Sequence, residues 1–65
     1  MVHIIKHQDS DTYVKNVISD GNNVRIKFTN NKQLARRFKL YRAASNVISV
    51  YLSSYYKVET IKESF

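Results

Sequence analysis

Metal or acid–base chemistry in this chain would have to come from two histidines, His3 and His7, and five carboxylates, because it contains no cysteine. The histidines are four residues apart. On a strand that spacing puts them on one face but about 13 Å apart, too far to share an ion. Glu59 and Glu63 have no histidine near them in sequence. The single glycine, Gly21, cannot make a phosphate-cradling loop. The expectation is a non-enzymatic protein with no cofactor, no metal and no catalytic residue.

What remains is charge. The net charge is +6, and no acid lies between Asp20 and Glu59. That interval holds Arg25, Lys27, Lys32, Arg36, Arg37, Lys39, Arg42 and Lys57. A one-sign block of this kind favours an anionic partner, whether nucleic acid, an acidic protein face or a membrane surface, and of these a membrane is not expected. It also serves a small protein as a solvated outer surface. The first seven of these cations are the candidate site for an anionic partner. On a helix, Lys32, Arg36 and Lys39 would share a narrow arc with Arg42 at its margin, a stripe able to follow a phosphate backbone. Tyr13 shares strand parity with Lys15, a pairing that single-strand binders use, although a plain cross-strand contact is the better reading of Tyr13.

Those residues must be positioned by a single domain spanning 1–65, near the lower limit for an independent core. Second copies of the chain could support so small a core, so a homodimer is a fair expectation. Val2 to His7 reads as a strand, followed by a polar turn, and Thr12 to Ile18 reads as a second strand. Asp20-Gly21-Asn22 is a strong turn signal. Val24 to Thr29 then alternates, with Val24, Ile26 and Phe28 on one side and Arg25 and Lys27 on the other, as a half-buried antiparallel strand does.

From Asn30 to Tyr55 the apolar spacing is three and four, the helical period. Leu34 and Phe38 centre one arc, while Ala44, Val47, Ile48, Tyr51 and Tyr55 centre another about 90° away. This predicts a short helix near 31–38 capped by Asn30, a join around 39–41 and a long helix from 41 to 55. One curved helix is the alternative. Tyr51 and Tyr55 fall at core spacing, whereas Tyr56 is expected at the surface. Lys57 to Lys62 reads as a closing strand whose apolar pair, Val58 and Ile61, is off parity and leaves room for a bulge. The fold class is α+β: a small, mostly antiparallel sheet in β-β-β-α-α-β order, with a helical layer on one face. No apolar run approaches the roughly 18 residues of a membrane span, and the N-terminus is too short-lived in its hydrophobicity for a signal peptide. A cytoplasmic location follows as the expectation.

The segments Tyr13-Val-Lys-Asn-Val17, Val24 to Thr29, Ala35-Arg-Arg-Phe38, Ala43-Ala44 and Tyr56-Lys-Val-Glu59 together resemble small uncharacterised proteins of bacteriophages and prophages from low-GC Gram-positive bacteria. The likeness covers most of residues 12–63, and a composition rich in Lys, Asn, Ile and Tyr agrees with it. It implies an accessory protein in a host cytoplasm and supplies no site residues. The function expected is a protein-interaction module docking on a host or phage protein by a sheet edge or the basic face. A nucleic-acid binder using the basic helix and strand faces is the alternative, and a self-associating structural piece is a third.

Overall fold

A computed structural model describes residues 1–62. Its strands are β1 (Val2–His7), β2 (Tyr13–Asp20), β3 (Asn23–Thr29) and β4 (Tyr56–Ile61), with one helix, α1 (Tyr41–Tyr51), between β3 and β4. All strand pairs are antiparallel, and the order across the sheet is β3-β2-β1-β4. The architecture is therefore α+β. The closing strand returns beside β1, which leaves β3 and β4 as the two edges.

The β2–β3 hairpin forms because alternation and turn chemistry agree. Asp20 faces Asn23 across a two-residue turn in which Gly21 has φ +60° and Asn22 does not have positive φ. Glycine at the first central position is the requirement of a type II′ turn, whose twist matches that of the strands. The strand register slips between Val14 and Asn16, leaving Lys15 as a bulge. Tyr13 and Val14 are consecutive and both buried, one toward each face of the sheet. Tyr13 is therefore core, packed with Ile4 and Ala35, while Lys15 is exposed at the bulge. The bulge anticipated in β4 is absent there: β4 runs in unbroken register with β1 from His7–Tyr56 to Val2–Ile61. Val58 and Ile61 are off parity because both faces are covered at this edge. Val58 packs with Ile5, Val14, Phe38 and Ala44, and Ile61 packs with Ile4, Tyr13 and Ala35.

The short helix expected over 31–38 is not formed, nor is a single helix over 31–55. Asn31, rather than Asn30, caps a single 3₁₀ turn at Lys32–Leu34, its side-chain oxygen accepting from the Gln33 N–H at 3.0 Å. Ala35 is already extended, with φ −63° and ψ 140°. The chain then threads a gap in the sheet. β1 and β2 are in register only at Lys6–Tyr13, supported by the His7 N–H donating to the Thr12 carbonyl. Beyond that point residues 36–38 lie between the two strands. The Arg36 N–H donates to the Val14 carbonyl at 2.8 Å, and Phe38 and His3 exchange two backbone bonds, each 2.8 Å. A helix at 31–38 would leave those strand groups buried and unpaired, which costs more than the helical propensity returns. The extended path also drives Phe38 into the core while Leu34 stays 51% exposed.

Ala44, Val47, Ile48 and Leu52 turn toward the sheet, as the helical arc requires. α1 stops at Tyr51, four residues short of the expected end, and Leu52 is extended with ψ −172°. Tyr55 accordingly falls outside the core, at 56% exposure, and Tyr51, the last helical residue, is 48% exposed as well. Tyr55 stacks on His7 instead, and Tyr56, expected at the surface, is half-buried against His7 and Phe28. At its other end α1 begins badly. Its N-cap is Leu40, which makes no side-chain cap, and its first turn has no acid. Leu40 is exposed, so nothing is lost by changing it. Leu40→Asp is expected to stabilise the domain by about 1 kcal/mol through a cap bond and the helix dipole. The corresponding rise in thermal midpoint is roughly 4–8 °C for a domain of this size, checked by circular dichroism melts.

Candidate interaction surface

The fold divides the seven candidate cations into groups. Arg25 and Lys27 stand exposed on the face of β3 that points away from α1. Asn16, the cross-strand partner of Lys27, accepts a bond from Arg36 Nη1 at 3.1 Å. Lys27 and Arg36 therefore both neighbour Asn16, while Arg25 stands two residues along β3 from Lys27, opposite Ile18. Arg36 also lies over the Phe38 ring, 5.3 Å from its centroid. Lys32 is drawn elsewhere, to a surface ion pair with Glu59 at 3.3 Å. Arg37 folds back on the 3₁₀ turn, where its guanidinium donates to the carbonyls of Gln33 at 3.0 Å and Ala35 at 2.6 Å. Lys39 and Arg42 flank the start of α1. The helical stripe of Lys32, Arg36 and Lys39 does not exist, because no helix runs there.

Beside the basic row lies a feature that strand order alone creates. β3 pairs with β2 and, among the described residues, with nothing on its other side. In a hairpin closed by Asp20 and Asn23, hydrogen-bonded and non-bonded pairs alternate outward from the turn. The backbone groups of Val24, Ile26 and Phe28 therefore point off the edge of the sheet. Their side chains lie on the face toward α1, but α1 packs mainly on β1 and β4. Val24 and Ile26 are half-buried, and Phe28 is 44% exposed. Sequence alternation picks out both rows of β3. It carries no signal that this strand is an edge, since that depends on β4 returning beside β1 at the far side.

The remaining chemistry-bearing residues serve the fold. His3 Nδ1 meets Thr60 Oγ1 at 2.9 Å, with the Tyr41 ring edge-on to the imidazole. His7 Nδ1 accepts from the Asp9 N–H at 3.1 Å. Glu59 is in the Lys32 pair, and Glu63 lies outside the described residues. A cavity of about 300 Å³ is lined by Lys32, Gln33, Arg37, Ile61 and Lys62, and two of its three cations have the partners named above. Among the described residues no cluster of His, Asp or Glu is arranged to hold a metal, and no helix is long and apolar enough to cross a membrane. Compared with protein-family models, with curated proteins and with solved structures, the chain matches none.

Proposed function

We propose that this protein is a small, non-enzymatic interaction module, of the accessory kind its likeness to phage and prophage proteins implies, and that it takes a partner protein along the open edge of β3. The observation that supports this reading is the coincidence on one strand of an unpaired backbone edge, a half-covered apolar row and an exposed basic row. An unprotected edge ordinarily recruits another strand, and a partner segment gains main-chain hydrogen bonds there plus pockets for alternate side chains.

A displayed library of random peptides, panned on the intact protein, tests this. Enriched peptides should shift the amide resonances of Val24, Ile26 and Phe28. They should also lose binding to Val24→Pro, which removes an outward N–H without touching the ladder to β2. Enriched peptides that bind Val24→Pro equally well would place the partner elsewhere.

A second reading rests on Lys27 and Arg36 both neighbouring Asn16, with Arg25 two residues along the same strand from Lys27. That patch would suit the backbone of a single-stranded nucleic acid. In a gel-shift series with oligo-dT, log affinity should then fall with log salt, and neutralising all three should flatten the slope by about 2, at roughly 0.7 per phosphate contact. Absence of any retardation at low salt would end it.

A further inference from the structure

We infer that the segment accepted by β3 is an acidic, amphipathic strand, with acids alternating with apolar residues. The inference rests on the edge-binding reading above and specifies its partner. A strand added beyond β3 projects successive side chains to opposite faces of the sheet. On one face they meet Val24, Ile26 and Phe28, which α1 leaves partly open, so that row of the partner is apolar. On the other face they meet Arg25 and Lys27, both exposed and without an ion pair among the described residues. Opposite charges directly across a ladder stabilise it and like charges destabilise it, so that row of the partner is acidic. Asp20 sits at the hairpin tip on the same face as Arg25 and Lys27. The acids of the partner are therefore placed toward the Lys27 end of the strand and not beyond Asn23.

A second copy of the chain fits this edge poorly. Edge-to-edge pairing of two β3 strands would bring Arg25 and Lys27 against their own copies, in a protein already at net charge +6. Nucleic acid would use the basic row and leave the backbone edge and the apolar row unsatisfied. An acidic extended peptide uses all three.

The test uses three synthetic peptides of about seven residues, the length of β3. One alternates Glu with Val and Ile, one replaces each Glu by Lys, and one shuffles the acidic sequence to destroy the alternation. Binding to the full chain is followed by fluorescence anisotropy and by amide shifts. The acidic alternating peptide should bind, shifting Val24, Ile26 and Phe28, and shuffling should weaken it at least about tenfold. The double variant Arg25→Glu, Lys27→Glu should lose the acidic peptide and gain the lysine one. Both positions are exposed, and a melt of the variant confirms its fold. Val24→Pro should abolish binding of every peptide. Equal binding of acidic and lysine peptides to the native protein overturns the acidic assignment while leaving the edge reading in place. Failure of all three peptides, together with a library that yields nothing, overturns both. A protein that is dimeric on its own through β3, or one that binds oligo-dT and none of the peptides, overturns the inference in favour of those occupants.

Discussion

Phe38→Ala is expected to cost about 3–5 kcal/mol, whereas Leu34→Ala should stay within about 0.5 kcal/mol. Both residues belong to one helical arc when the sequence is placed on a wheel, and a helix over 31–38 would bury them together. The structure separates them. Phe38 is 8% exposed and touches the cluster of Ile5, Val14 and Ala44, while Leu34 is 51% exposed. At roughly 0.05–0.15 kcal/mol per residue a chain this small has about 3–10 kcal/mol in total. Loss of Phe38 would therefore bring the domain close to unfolding. Phe38→Leu keeps the measurement possible, since it retains apolar bulk and should cost noticeably less than the alanine. Urea denaturation should order the proteins as native and Leu34→Ala together, then Phe38→Leu, then Phe38→Ala. Equal losses at positions 34 and 38 would restore the helix and remove the extended segment on which the fold depends.

The difference between those two residues shows where sequence reading works here and where it stops. β1 is legible to the residue, because a β-rich run meets a polar turn at Gln8-Asp9. The hairpin is legible because Gly21 and the alternation of Val24, Ile26 and Phe28 state the same register. The α1 face of Ala44, Val47 and Ile48 is legible from its period. The stretch 31–40 misleads, since local spacing records which residues are apolar and not which backbone groups elsewhere need partners. His3 and Val14 have such groups, and no pattern near Phe38 announces them. Tyr51 and Tyr55 mislead for a related reason. The helix ends at Tyr51, so Tyr55 leaves its arc and stacks on His7 from a strand distant in sequence, while Tyr51 sits at the exposed last helical position. The site follows the same division. Arg25 and Lys27 are visible as a row of one strand. The approach of Arg36 to that row depends on the threaded segment, and the openness of the edge depends on where β4 returns.

That threaded segment can be tested at its backbone alone. Arg36→Pro should destabilise the domain by about 1–3 kcal/mol more than Arg36→Ala does. Alanine removes the exposed guanidinium, with its bond to Asn16 and its approach to Phe38, but keeps the N–H. Proline removes the N–H as well, and the Val14 carbonyl it satisfies belongs to a fully buried residue with no route to water. Steric conflict with the preceding residue is not the cause of the extra loss. Ala35 already has φ −63° and ψ 140°, the extended region that a residue before proline adopts. Hydrogen exchange gives the independent reading. The amides of His3, Arg36 and Phe38 should exchange with the slow core set, while those at the uncapped start of α1 exchange early. If the amides of Arg36 and Phe38 exchanged as fast as the 3₁₀ turn before them, β1 and β2 would have to close on each other. The segment carrying Arg36 to the basic row would then lie free of the sheet.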